Sequence, residues 1–383
     1  MEIKKILKEM IARGASDLHI KVATPPVFRI NGSLVFADYE PPTMADMTAM
    51  TQQILSPTQR EIFEATREID FAFGVPGVAR FRANFYVQRG TVAMVFRHVP
   101  VEIRNPDDLG LPEVVKQLGL KSRGLILVTG TVGSGKSTTL ASIVDIINRE
   151  CSRHVITIED PIEFLHRDNK SIISQREIGC DTSTYSDALR HVLRQDPDVI
   201  LIGEIRDAES MKIALTAADT GHLVLSTMHT IDATQTVSRI ISFFPPHQHQ
   251  EIRYLLASTL NAVISQRLVA DADGLTRYPA CEIMINTSTI KEYIREPEKT
   301  VMIQQAIEEG FIQYQMQTFD QSLMQLYREK KISLEAATRA SSNPHEFMLR
   351  IKGIKGNSEN NWERFETTPQ ESAPEPEAEI SRI

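Results

Sequence analysis

The chain has 383 residues, enough for two domains and a tail. It is 42% hydrophobic and 24% charged, with a formal net charge of −8, which is ordinary for a soluble globular protein and argues against a general nucleic-acid binder. No apolar run approaches the ~20 residues of a spanning helix. Three scattered cysteines (Cys151, Cys180, Cys281) without a C-x-x-C pair argue against a zinc knuckle and read as inert core thiols in a reducing compartment.

The N-terminal stretch MEIKKILKEMIARGASD carries Ile3, Ile6, Leu7, Met10 and Ile11 at helical spacing with charges between them. That is an amphipathic first helix and lacks the continuous apolar centre of a signal peptide. SDLHIKV and VFRINGSLVF follow as strands, with Asn31-Gly32 marking a hairpin. Helices are expected over 43–54 and 57–66. Two further strands, ARFRANFYVQ and TVAMVFRHV, meet at Arg89-Gly90. In the first, Phe81, Ala83, Phe85 and Val87 share one face, and Arg80, Arg82 and Asn84 the other. An α+β domain over 1–100 is expected. A linker at 101–112, bearing Pro106, Gly110 and Pro112, separates it from the rest.

From 113 the pattern changes. The apolar runs LILVT (125–129), HVITI (154–158), VILIG (199–203) and LVLST (223–227) alternate with helical segments, which indicates a parallel sheet covered on both faces. Ligands of such sheets bind at the carboxyl ends of the strands. Residues 246–350 read as mostly helical, with EIRYLLASTLNAVISQRL as one long amphipathic helix and FDQSLMQLYREKK as another. His247 and His249 read as loop residues. The segment 351–383 is polar, acidic and proline-bearing, and is expected to be disordered; Trp362 and Phe365 could anchor it or be merely solvated.

The stretch GTVGSGKST follows LILVT and opens a helix, as a phosphate-binding P-loop must. Its backbone N–H groups, from Gly130, Thr131, Gly133, Ser134, Gly135 and Thr138, and the positive end of the helix would cradle the phosphates of ATP. Lys136 would reach the β- and γ-phosphates, and Ser137 would ligate Mg²⁺. VILIGE places Glu204 past one strand, on the metal side. ITIEDPIEF places Glu159, Asp160 and Glu163 past another. γ-Phosphate hydrolysis needs a metal-side carboxylate and a group that orients water, and Glu204 and Glu163 are the candidates. Asp160, before Pro161, could serve only as a helix N-cap. In GHLVLSTMHT, His222 and His229 bracket a strand. Strand geometry puts them ~23 Å apart on opposite faces, so one metal cannot bind both. His229 lies at the carboxyl end, where a γ-phosphate contact is plausible. His222 is open between a structural role and domain coupling.

These segments resemble the Walker A, Asp box, Walker B and His box of the secretion-type AAA-like ATPases that drive type II secretion and type IV pili. GASDLHIKVATPPVFRINGSL, RFRANFYVQRG and IGEIRDAES resemble further motifs of that family, so the resemblance covers about 1–350. The short N-terminus and missing C-x-x-C pairs are closest to its pilus-retraction branch. The resemblance implies an α/β protein: a PAS-like domain over 1–100, then a RecA-like P-loop ATPase domain with a parallel-rich sheet over 113–350. It implies a homo-hexamer with nucleotide between the domains, and arginines reaching it; Arg80, Arg82 and Arg97 are the candidates, with Arg194 and Arg206 behind them. Arg80 and Arg82 would converge on one anion or remain solvated edge charges. The implied work is pilus retraction by pilin depolymerisation, and hence twitching motility. The protein would be cytoplasmic, at the inner-membrane pilus base, touching the membrane only through partners such as the platform protein. No nucleic-acid partner is expected.

Thr131 and Val132 depart from the family's usual P-loop. TIKEYIRE (289–296) departs at Lys291, Glu292 and Tyr293 from the helix motif associated with retraction. The alternatives are therefore an accessory retraction ATPase beside a paralogue, a pilus-extension or type II secretion motor, or a regulatory subunit.

Overall fold

The computed structural model describes residues 2–271 and 276–352. Nearly all of the segment read as a disordered tail lies outside the described residues. The chain divides into two compact units. The first holds the residues up to Asp108, Val115–Ile126 and Ser137–Met228. The second holds Leu109–Val114, Leu127–Lys136 and the chain from His229 onward.

The first unit opens with α1 (Ile3–Ala12), β1 (Asp17–Lys21), β2 (Thr24–Ile30), β3 (Ser33–Phe36), α2 (Met44–Ile54), α3 (Pro57–Thr66), β4 (Glu68–Val75), β5 (Ala79–Gln88) and β6 (Thr91–Val99). The expected stripe on α1 is buried at Ile3, Ile6, Leu7 and Met10. Capping boxes start α2 (Thr43 with Asp46) and α3 (Ser56 with Gln59, and Pro57 in the first turn). The strands form an antiparallel sheet in the order β3-β2-β1-β6-β5-β4. Two of its tight hairpins have positive φ at both central residues, which Asn31-Gly32 and Arg89-Gly90 supply. On β5, Phe81, Ala83 and Phe85 are buried, and Phe85 packs against Phe63, Phe71 and Phe96 at centroid distances of 6.4, 5.2 and 5.7 Å. β4 was not anticipated. Glu68, Asp70 and Gly74 weaken its strand signal, and pairing with β5 along its whole length overrides them.

The chain continues through α4 (Glu113–Gly119), β7 (Gly124–Thr129), α5 (Lys136–Glu150), β8 (His154–Glu159), β9 (Ile172–Glu177), α6 (Tyr185–Val192), β10 (Val199–Ile202), α7 (Ala208–Asp219) and β11 (Leu223–Met228). The pairs β11–β10, β10–β8 and β8–β9 are all parallel. Every residue of β10 and β11 is buried, as expected for a sheet covered on both faces.

The second unit contains α8 (Ala233–Ser242), α9 (His249–Thr259), β12 (Leu260–Ala270), β13 (Arg277–Ile285), α10 (Ser288–Arg295), α11 (Ile303–Glu309), α12 (Phe311–Tyr314), α13 (Phe319–Arg328), α14 (Leu334–Ala340) and α15 (Pro344–Ile351). The order of the second sheet is β13-β12-β7-β11-β10-β8-β9, with β12 and β13 antiparallel.

Two expectations fail here. The long helix read over EIRYLLASTLNAVISQRL stops at Thr259, and its second half is strand β12. Residues 262–266 are all buried, so the strand lacks the alternation that would distinguish it from a buried helix. His249 is the first residue of α9 rather than a loop residue, with its Nε2 2.8 Å from the Phe244 carbonyl.

Truncating Phe85 to Ala removes the ring at the centre of the aromatic cluster. It should lower stability by about 3–5 kcal/mol, read from urea unfolding of the purified protein.

Candidate functional site

The P-loop is built around one close approach. Thr129 ends β7 and donates from its hydroxyl to Ser265 Oγ at 3.0 Å, both buried. Gly130 follows with φ +143°, and a Cβ there would lie 2.5 Å from both the Gln266 carbonyl oxygen and Ser134 Oγ. Only glycine fits such a position. Gly133 and Gly135 also have positive φ, so the loop curls before α5 begins at Lys136. Lys136 is buried, and its Nζ donates to the Gly130 and Thr131 carbonyls at 2.8 and 2.9 Å. Ser134 Oγ is buried with no hydrogen-bond partner. Thr131, Gly133 and Ser137 are exposed, and Thr138 is half-buried. A buried ammonium, an orphan hydroxyl and a helix N-terminus in one glycine-shaped turn fit a polyphosphate.

In the first unit the carboxylates gather behind β8 and β10. Glu159 accepts from Thr157 Oγ1 at 2.7 Å, Gln175 Nε2 at 3.2 Å and the Glu163 N–H at 3.3 Å. Burial pushes its carboxyl above the ordinary value, against the downward pull of these bonds. Glu204 accepts from Arg206 at 2.7 Å. Glu163 is exposed and meets Arg82 at 3.3 Å. A Cβ on Gly203 would stand 3.0 Å from the Tyr185 hydroxyl and 3.3 Å from Glu159 Cα, so the segment leading into Glu204 packs directly on that of Glu159. Burial, then the charges of Asp160, Glu159 and Glu204, raise the Tyr185 phenol far above its ordinary value. Tyr185 was missed in the sequence, because an aromatic residue opening a helix carries no spacing signal. Asp160 caps no helix: residues 160–171 form neither helix nor strand.

The three candidate arginines each take a different carboxylate and do not converge on one anion. Arg80 pairs with Glu177 at 3.0 Å, Arg82 with Glu163 and Arg97 with Asp17 at 2.8 Å. Strand pairing sets Arg82 opposite Arg97, and both line a cleft of about 730 Å³ with Asp17, Asp160 and Glu177. Against the upward push of burial, the Ser16 hydroxyl and the Arg97 guanidinium hold the Asp17 carboxyl below its ordinary value. Arg194 is exposed.

Both histidines lie just outside β11, which runs from Leu223 to Met228. His222 serves locally. Its Nδ1 lies 3.0 Å from the Ala217 carbonyl and 3.2 Å from Thr220 Oγ1, where α7 ends. His229 is exposed at the carboxyl end of the strand. The Ser226 and Thr227 hydroxyls donate to the Ile202 and Gly203 carbonyls, both at 2.7 Å, and tie β11 to the turn before Glu204. The cysteines are not uniformly core residues: Cys281 is buried, Cys151 half-buried and Cys180 exposed. No group of three potential metal-ligating side chains is present among the described residues.

In the second unit, α8 follows His229 after three residues, and its first N–H, from Ala233, donates to Glu282 Oε1 at 2.8 Å. Glu282 is fully buried on β13. Burial raises its carboxyl to about 7, the Ala233 N–H and Gln304 pulling it down and Asp232 pushing it up. A glutamate inside a strand gives no sequence signal of this use.

The family of type II/IV secretion system proteins matches residues 1–361. The chain belongs to that family. Within it, the chain is 42% identical to the type IV pilus retraction ATPase PilT of Pseudomonas aeruginosa, across 91% of this chain and 100% of that one. It is 38% identical to the type IV pilus ATPase PilU of the same organism, across 92% of each. The crystal structure of the pilus retraction motor PilT with bound ADP superposes with a TM-score of 0.83 at 45% identity, covering 90% of this chain and 98% of that one. The α/β fold with its parallel-rich sheet is thus the fold of this family's ATPases.

Glu282 sets a pH dependence. Its native value of about 7 lies above the ordinary 4.5, so between these values the folded protein holds more protons than the unfolded chain. Stability contributed by the protonated carboxyl is therefore lost as pH rises through this window. Glu282→Gln should flatten that decline and be the more stable form near pH 8, by up to about 3 kcal/mol in denaturant titrations.

Proposed function

We propose that this chain is an ATP-hydrolysing motor for type IV pilus retraction. The observation that carries the reading is the P-loop: a glycine turn with Lys136 buried over it and Ser134 Oγ orphaned, in a chain matched over nearly its full length by a retraction motor that binds ADP. In this reading Gly130, Thr131, Gly133, Ser134, Gly135 and Thr138 hold the phosphates, and Lys136 neutralises charge on the β- and γ-phosphates. Ser137 and Glu204 would hold Mg²⁺, which screens phosphate charge when bound. Glu163 orients the attacking water, and His229 reports on the γ-phosphate. Arg80, Arg82 and Arg97 lie in carboxylate pairs that a nucleotide-driven movement would exchange for phosphate contacts. Residues 1–100 act as a PAS-like domain and 113–350 as a RecA-like domain, in a homo-hexamer. The ring works at the cytoplasmic face of the inner membrane on the pilus platform protein, and domain rotation performs the work. Among the described residues no helix is long and apolar enough to cross a membrane, and in this reading membrane contact is made through partners.

A second reading, an accessory retraction ATPase, is favoured by one segment. TIKEYIRE lies on α10, whose Ile290 and Ile294 are buried as a packed helix requires. Its departures fall on the remaining positions: Glu292 pairs with Lys299, and Tyr293 receives the Thr300 hydroxyl on its carbonyl.

Lys136→Ala should lower Mg²⁺-dependent ATP turnover by about 10²-fold or more. In cells carrying it in the chromosomal gene, surface pili should be abundant and fail to shorten. Bald cells would mean an extension motor. Pili that still retract would favour the accessory reading.

A further inference from the structure

We propose that Gln175 and Glu177 on β9 are positioning residues for Glu163, and that Arg80 acts on the same loop through Glu177. This inference rests on the reading of Glu163 as the water-orienting group. A water-orienting carboxylate has to be held to within a fraction of an ångström. Yet Glu163 lies in the loop 160–171, which has no regular hydrogen-bonding ladder of its own. Two backbone bonds hold it further along, from the Leu165 N–H to the Pro100 carbonyl at 3.2 Å and from the Lys170 N–H to the Asn148 carbonyl at 2.9 Å, but next to Glu163 the grip comes from side chains.

Gln175 Nε2 donates to the Phe164 carbonyl at 2.9 Å and to Glu159 Oε1 at 3.2 Å, while its Oε1 accepts the His166 N–H at 2.9 Å. Glu177 Oε2 accepts the Ile162 N–H at 3.3 Å. Glu159 Oε2 accepts the N–H of Glu163 itself at 3.3 Å. The backbone is thus gripped at 162, 163, 164 and 166. Gln175 and Glu177 can share this task because residues two apart on a strand face the same way. The Glu163 side chain stays 46% exposed, so the backbone is fixed while the carboxylate remains available.

Glu177 is a buried carboxylate and therefore needs a partner. The partner is Arg80, whose Nη2 donates to the same Oε2 at 3.0 Å. One oxygen therefore serves both the N-terminal sheet and the loop beside Glu163. Movement of β5 is transmitted to Ile162 through that atom. Arg82, two residues along β5, bonds the Glu163 carboxylate itself.

The test uses the purified full-length protein with Gln175→Ala and Glu177→Gln, each alone and combined with Glu163→Gln. Steady-state ATP turnover and ADP affinity by calorimetry are measured. Glu177→Gln keeps an acceptor for Ile162 and removes the charge that holds Arg80, so it carries the test if Gln175→Ala does not fold. The expected result is a kcat lower by about 10–100-fold, an ADP affinity unchanged within about twofold, and little further loss in the Glu163→Gln background, because residues acting through one group are non-additive. Additive losses in that background would overturn the inference, showing a role independent of Glu163. So would wild-type kcat in Gln175→Ala and Glu177→Gln when Glu163→Gln is impaired. Full turnover by Glu163→Gln would overturn the reading of Glu163 and this inference together.

Discussion

A parallel sheet covered on both faces leaves only its strand ends for polar chemistry, and the arrangement of this protein follows from that constraint. β10 and β11 are buried at every position, and β8 is buried along its centre. The polar residues therefore begin where the strands stop: Glu159 at the last position of β8, Glu204 after β10, His229 after β11 and the glycine turn after β7. The hydroxyls of Ser226 and Thr227 lie inside the apolar sheet, and each is satisfied by a carbonyl at the end of β10. Even the exceptions thus serve to align the strand ends.

One device recurs beside these ends. Glu159, Glu177 and Glu282 each lie away from solvent and each accept a backbone N–H: from Glu163, Ile162 and Ala233. A carboxylate removed from water is tolerable only when its charge is met by donors or a counterion. The solutions differ. Glu177 has a full positive partner in Arg80. Glu159 and Glu282 rely on neutral donors, and burial pushes both carboxyls upward. In each case the acid fixes a segment that carries, or leads away from, a candidate functional residue. The arginines of the N-terminal sheet belong to the same scheme, since each is paired with a carboxylate of its own. That pairing stores positive charge beside the cleft without leaving it unneutralised.

Local chemistry was legible in the sequence wherever it is written in neighbouring residues. The Asn31-Gly32 and Arg89-Gly90 turns, the stripe of α1, the alternation of β5 and the glycine pattern from Gly130 to Gly135 all stand in the fold as the spacing requires. These features depend on φ preference, period and side-chain size, which short stretches determine by themselves. β4, β9 and β12 were not legible. β4 and β9 close the edges of their sheets with weak strand signals, and β12 is buried on both faces, so its run of apolar residues is shared with a helix.

The sequence by itself therefore determined the class of chemistry: a phosphate-binding turn after a strand, and carboxylates after two others. Tertiary structure decided which partner each charge takes. Arg80 and Arg82 sit two residues apart on one face of β5, and sequence spacing suggested one shared anion. Folding brings the loop after β8 and the end of β9 against that face, 81 and 97 residues further along the chain, and gives each arginine its own carboxylate. Burial raised the Glu282 carboxyl and the Tyr185 phenol above their ordinary values in the same way. Electrostatic partnership depends on distance and desolvation, and neither is encoded in the order of residues until the chain has folded.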